Sequence, residues 1–221
     1  MTKKYSFNKA LVLGGSSGLG YAIAKELKKI CKSVEAFSSK DIDTSNFESI
    51  KSFLSKYNST DILILNSGGP PPLTFNELSK ETWLKYFNQL FLGFCLILKG
   101  VKIKNNGYIF YISSSIIREP SEKLILSSSL RIGFSSVLKS LSKSYSKRGV
   151  SIINIAPGPF KTRRVKDLVK NIKKYETKLP TNKIGDPKEI GLFVKSIAEN
   201  KIKYISGSIV YFDGNTLNTI F

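Results

Sequence analysis

The stretch LVLGGSSGLGYAIA, residues 11–24, decides how the rest of the chain is read. The apolar run ALVL (residues 10–13) gives way to GGSSGLG and then to YAIAKELKKI, in which Ala22, Ile23 and Leu27 recur at helical spacing. Glycines at 14, 18 and 20 therefore stand in a turn between a strand and a helix. A pyrophosphate can rest on free main-chain N–H groups at the positive end of a helix only where no side chain holds it off. Glycine supplies that clearance and an unusual φ. The spacing is GxxxGxG, not the GxGxxG of the common dinucleotide fingerprint, so the turn by itself reads either as a phosphate cradle or as a tight turn. Its place directly after the first strand favours the cradle.

Outward from this turn, strand-like and helix-like segments alternate to the end of the chain. SVEAF (33–37), DILILN (61–66), GYIFYIS (107–113), VSIINIA (150–156) and SIVYF (208–212) read as strands. Helical patterns cover 47–57, 81–98, 127–145 and 187–199. Continuous apolar strands separated by helices predict an α/β fold with a mostly parallel, doubly wound sheet covered on both faces, as one domain over 1–221. DPKE at 186–189 specifies a helix start, with an N-cap acceptor, a proline in the first turn and a glutamate three residues after the cap. Residues 162–179 are richer in Lys and Arg, have no strong strand pattern, and read as a mobile flap or short helices over a site.

A chain of 221 residues with 41% apolar and 11% aromatic residues can bury one good core. Its 35 basic and 16 acidic residues leave a formal charge of +19, which favours anionic partners such as nucleotides or phosphopantetheine carriers. The lysines are spread along the chain, so a solvated surface is the plainer reading. Without a block of like charges or a zinc-finger spacing, nucleic acid is not an expected partner. Cys31 and Cys95 lie in apolar contexts read as helical, which predicts reduced core thiols in a cytoplasmic protein. No signal peptide is recognised, and the longest apolar run, residues 90–98, is too short for a bilayer, so no membrane partner is expected. The chain has no histidine, which removes His-based triads and the commonest metal ligand; no metal site is expected.

Taken together, these motifs resemble the short-chain dehydrogenase/reductase family, in particular reductases related to 3-oxoacyl-acyl-carrier-protein reductase. The resemblance covers nearly the whole chain. It rests on Gly14, Gly18 and Gly20, on Asn66, Ser67 and Gly68 where the family has an NNAG segment, on NIAPGPFKT (154–162), and on GDPKEIG and ISGSIVYFDGN near the end. It implies a Rossmann-type, three-layer α/β/α domain that binds NAD(P). The implied cofactor-binding residues are Gly14, Ser16, Ser17, Gly18, Leu19, Gly20, Ser38, Ser39, Lys40, Asp43, Asn66, Ser67, Gly68, Arg131, Pro157, Gly158, Phe160 and Thr162. The second strand ends in FSSK, without the carboxylate that would bind ribose hydroxyls and repel a 2′-phosphate, so NADP is expected over NAD, unless Ser38 and Ser39 are ordinary loop residues. Only SSKDI separates Phe37 from Asp43, so the helix that the family usually places there is expected to be missing.

The family reduces carbonyls with a Ser, a Tyr and a Lys, supported by an Asn. Here Ser114 matches the Ser position, Ser127 stands in the Tyr position, Arg131 in the Lys position, and Leu90 in the Asn position, near Asn88. A serine hydroxyl is a much poorer acid than a phenol, and Arg does not release its proton. Water, a relay through Ser127, or another phenol such as Tyr111 are the candidate proton sources. The expected function is an NADP-dependent reductase of a 3-oxoacyl thioester or similar ketone with altered chemistry. The alternatives are a dinucleotide-binding or scaffolding protein without turnover, and a basic nucleic-acid binder. The apolar helix 81–98 and the following helix, with Leu130, Phe134, Val137, Leu138 and Leu141, lead to an expected homodimer or homotetramer, the alternative being a monomer with apolar core helices. Gly69 to Leu73 is a rigid extended segment expected at the substrate mouth, or a surface loop.

Overall fold

In the computed structural model, which describes residues 5–220, the opening apolar run becomes β1 (Phe7–Leu13). Alternation along it assigns both faces of the sheet at once: Ala10 and Val12 enter one apolar core, Leu11 and Leu13 the other. The other strands are β2 (Cys31–Phe37), β3 (Ser59–Leu65), β4 (Lys102–Ile112), β5 (Ser151–Pro157) and β6 (Ser208–Phe212). They form one six-stranded sheet in the order β2-β1-β3-β4-β5-β6, every neighbouring pair parallel. Leu11 lies beside Leu63, Leu63 beside Ile109 and Ile109 beside Ile152, so one apolar layer crosses four strands. Residues 1–4 and 221, the ends of the domain expected over 1–221, lie outside the described residues.

The helices are α1 (Gly18–Leu27), α2 (Phe47–Lys56), α3 (Lys80–Phe87), α4 (Gly93–Gly100), α5 (Ile125–Ser146), α6 (Arg163–Leu168), α7 (Ile172–Glu176) and α8 (Pro187–Glu199). Helices α1 and α8 cover one face through Ile23, Leu27, Ile190 and Val194. Helices α2, α4 and α5 cover the other through Ile50, Phe53, Phe94, Ile97, Phe134 and Leu138. The three layers follow from the sequence pattern, and Asp186 caps α8 by accepting from the Lys188 N–H, with Pro187 in the first turn. Because β2 and β3 flank β1 on opposite sides, the connections leaving the sheet diverge above the ends of β1 and β3. A crevice opens there.

Two expectations change. The helix read as unbroken over 81–98 contains a π turn, Asn88–Leu92, between α3 and α4. A widened turn leaves a main-chain carbonyl in need of a donor, and the Thr44 hydroxyl donates to Gln89 O at 3.1 Å. A Cβ on Gly93 would stand 2.0 Å from Thr44 O, so only glycine lets the loop after β2 press onto this turn. Cys31 opens β2 instead of sitting in a helix, because the apolar context that surrounds it is a strand edge of the core. Neither cysteine is in a disulfide. Residues 38–42 form a turn with no helix between Phe37 and Asp43. No described helix is long and apolar enough to cross a membrane. The ion pairs among the described residues are Lys29–Glu26 and Lys195–Glu199, so most of the positive charge is not locally paired.

Candidate active site

The crevice holds a cleft of about 870 Å³. At its floor the glycine turn is shaped by close approach: Gly14 and Gly18 have φ of +59° and +54°. A Cβ on Gly20 would lie 2.1 Å from Gly14 O. Asn66, at the end of β3, donates through Nδ2 to Gly14 O at 3.1 Å, and the Gly15 N–H donates to Phe37 O at 2.8 Å. The turn is thus tied to both strands that flank β1. Ser17 is the N-cap of α1 without a side-chain cap bond, and no acidic residue sits in the first turn, so the first N–H groups remain available to an anion. Ser16, Ser17, Gly18 and Leu19 line the cleft, Gly20 lies beneath against Gly14, and Thr162 packs over Gly18. A side chain at Gly14, Gly18 or Gly20 would be strained or would clash, which is the fit a pyrophosphate cradle requires.

Beyond β2 the turn closes on a carboxylate that sequence reasoning missed. Asp41 Oδ2 accepts from the Ser38 N–H and from the Ser38 hydroxyl, both at 2.7 Å, and these bonds hold the Asp41 carboxyl below the usual carboxylate range. The Lys40 N–H donates to Ser38 Oγ at 3.2 Å. Ser38, Ser39 and Asp43 line the cleft, whereas Lys40 is exposed outside its lining. Asp43 Oδ1 accepts from the Ser45 N–H at 2.9 Å and the Ser45 hydroxyl at 2.7 Å.

At the other end, Ser67, Gly68, Ser114, Ser127, Arg131, Pro157, Gly158 and Phe160 line the same cleft. Arg131, on α5, is 5% exposed. Its Nε donates to Ser127 Oγ at 3.2 Å, Nη1 to Ile112 O at 3.1 Å and Nη2 to Ser67 O at 3.2 Å. These carbonyls lie at the ends of β4 and β3, so the guanidinium closes the top of the sheet. Behind it runs a buried chain: the Ser113 hydroxyl donates to Asn154 Oδ1 (2.5 Å), Asn154 Nδ2 to Ser135 Oγ (2.8 Å), and the Ser135 hydroxyl to Arg131 O (2.7 Å). Ser113 is buried and Ser114 half-buried, and both border the cleft.

Tyr111 does not serve this cleft. Its hydroxyl is buried without a hydrogen-bond partner among Phe94 and Phe134, and burial raises its pKa against the pull of Arg131. Tyr175 of α7 is the one phenol among the lining residues, its pKa also raised by burial. Leu90 is fully buried in a small apolar cluster. The neighbouring Gln89, turned by the π segment, donates through Nε2 to Ser67 Oγ at 2.8 Å and to Gly68 O at 3.1 Å. Arg163, Arg164, Val165 and Leu168 of α6 also line the cleft, so the basic segment after Thr162 does form short helices over the site.

Such a crevice, with a glycine cradle at one end and a Ser–Arg pair at the other, defines a dinucleotide-type α/β fold. A family model described as enoyl-(acyl carrier protein) reductase matches residues 17–215, and the chain belongs to that family, within the short-chain dehydrogenase/reductases. The chain is similar to 3-oxoacyl-[acyl-carrier-protein] reductase FabG of Chlamydia trachomatis (24% identity, 93% of this chain and 95% of that protein). It is similar to the FabG of Rickettsia prowazekii at 27% identity, over 94% of this chain and 96% of that protein. Among solved structures it is similar to YwfH, an NADPH-dependent reductase involved in bacilysin biosynthesis (TM-score 0.85, 21% identity, 97% of this chain and 100% of that one). L-sorbose reductase from Gluconobacter frateurii, complexed with NADPH and L-sorbose, matches with a TM-score of 0.84 at 21% identity over 100% of both chains.

Proposed function

We propose that this chain binds NADP(H) across the crevice and reduces a carbonyl group, a 3-oxoacyl thioester or similar ketone, with Ser114, Ser127 and Arg131 at the reacting end. The observation that carries the reading is the Arg131–Ser127 hydrogen bond, in one cleft with Ser114 and the glycine cradle. The main-chain N–H groups of residues 18–20 and the Gly14 turn would hold the pyrophosphate, with Asn66, Ser67, Pro157, Gly158 and Thr162 along the rest of the dinucleotide. When bound, the dinucleotide supplies the hydride. Ser114 and Ser127 hold the carbonyl oxygen between two hydroxyls. Arg131 keeps Ser127 oriented and places a fixed positive charge where negative charge grows on that oxygen. The proton comes from a cleft-wall hydroxyl, Ser127 or Tyr175, or from water.

The second reading, a dinucleotide-binding protein without turnover, draws on the absence of a phenol at position 127 and the sealing of Tyr111. The two separate on NADPH consumption. The purified protein is given NADPH or NADH with acetoacetyl thioesters, quinones and small ketones. Substrate-dependent oxidation of NADPH is expected; tight binding of NADPH with no oxidation across the panel selects the second reading.

Assembly as a homodimer belongs to the same proposal. Leu84, Phe87 and Ile132 are exposed on α3 and α5, at 52%, 38% and 43%, and a second copy would cover them. The proposed setting is the cytoplasm.

A further inference from the structure

Arg131 and Arg164 grip one short loop from its two ends. Arg131 Nη2 donates to Ser67 O, and Arg164 Nη2 donates to Pro70 O. Both guanidiniums line the cleft, one from α5 and one from α6. A guanidinium has five N–H donors. Arg131 spends three of them, all on neutral acceptors, although it is almost wholly buried. Neither arginine is in an ion pair among the described residues. Burial and the charge of Arg131 both draw the Arg164 pKa down, and Asp167 and Tyr86 offset this only in part.

The rest of the cleft adds to the imbalance. Lys85 and Arg163 also line it, and the only carboxylate in the lining is Asp43, at the end next to Ser38 and held by Ser45. A buried cation and a half-buried one, neither with a counter-charge, are a cost that an anion bound between them would offset. Arginine forks match a carboxylate geometrically through paired N–H groups.

We propose that Arg131 and Arg164 are the receptor for a carboxylate on the substrate itself, so that the preferred substrate is a small oxo acid and not a neutral ketone or ester. This rests on the reductase reading above. The ketone gains a hydride and a proton to become a hydroxyl, and the carboxylate is held and left unchanged. With the carboxylate pinned between α5 and α6 above the Ser67–Pro70 loop, the carbonyl is presented to Ser114 and to Ser127, which adjoins Arg131 on α5.

The test is a calorimetric titration of NADP⁺-saturated protein with acetoacetate and, separately, with its neutral ethyl ester. Acetoacetate is expected to bind roughly 10- to 100-fold more tightly, the worth of a charge-assisted hydrogen bond. Arg164→Gln abolishes the preference and Arg164→Lys keeps part of it, while the affinity for NADP⁺, followed in the same variants, is unchanged. Equal affinity for acid and ester, or a preference that survives Arg164→Gln, overturns the proposal. That result would also arise if phosphates of the dinucleotide already occupy the two arginines. If NADP⁺ itself does not bind, the reductase reading fails, and the same acid-against-ester titration on the protein alone still decides whether the arginines select a carboxylate.

Discussion

The Ser127 hydroxyl accepts the hydrogen bond of Arg131 Nε at 3.2 Å, so its own proton points away from the guanidinium. The pair therefore orients a weak acid instead of creating a strong one. Replacing it with the stronger acid tests that account. Ser127→Tyr together with Arg131→Lys is expected to raise the rate of reduction of acetoacetyl thioesters by about 10²-fold or more, within the usual worth of a general acid. No gain in the rate of NADPH oxidation would show that the poor acidity of Ser127 is not what limits the reaction.

Tyr175 is the phenol of the cleft lining, carried on the short helix α7. If it delivers the proton, Tyr175→Phe lowers kcat by roughly 10²-fold with little change in KM. Because burial raises its pKa, the phenol stays protonated across neutral pH and above its ordinary value, so kcat should hold level on the alkaline side until that raised pKa is reached. A kcat unmoved in the Phe variant assigns the step to Ser127 or water.

Asp41 occupies the Ser38 N–H and hydroxyl, which on the proposed NADP reading are donors for the 2′-phosphate. Asp41→Asn is expected to tighten NADPH binding by about 10-fold, the scale of one charge–charge contact near a surface, and to leave NADH unchanged. Fluorescence titration of both dinucleotides measures it. The sign with pH follows from the lowered carboxyl pKa: the closed turn is fully stabilised above the ordinary carboxylate range and is lost only as pH falls through the depressed value. Mild acidification alone should therefore not imitate the Asn variant.

Gly93 takes the weight of the loop from β2 onto the π turn. Gly93→Ala places a methyl group 2.0 Å from Thr44 O, a clash between two main-chain segments that no rotamer can relieve. A cost of about 3 kcal/mol is expected, lowering Tm by roughly 6–12 °C. A thermal melt within a degree of the parent would mean that Thr44 and the π turn are not held together in solution.

The sheet, its direction and both cores were legible because each is written in local periodicity: Ala10 to Leu13, Ile62 to Leu65 and Ile152 to Ala156 are buried from end to end, as parallel strands between helices must be. The glycine cradle was legible for the same local reason. What escaped depends on pairs far apart in the chain or on a single shift of phase. Arg164 meets Pro70 across 94 positions, and no pattern near either residue announces the other. Gln89 reaches the Ser67 loop only because a π turn rotates it, and the cue was Gly93 on a helix face that offers no reason for a glycine. Asp41 lay in plain view within SSKDI, but its choice of Ser38 over solvent is a matter of turn geometry. Lys40, by contrast, was implied by the family resemblance, and it is exposed outside the cleft lining.

The polar run from Ser113 through Asn154 and Ser135 ends on Arg131 O, an acceptor that can never give a hydrogen back. Every link upstream is forced into one orientation, with the Asn154 amide unable to turn over. Such a run transmits alignment but conducts no proton, so it insulates the sheet interior from whatever acid–base traffic occurs in the cleft. For the proposed reduction, the proton would then have to enter from the mouth or from the cleft wall and not through this run.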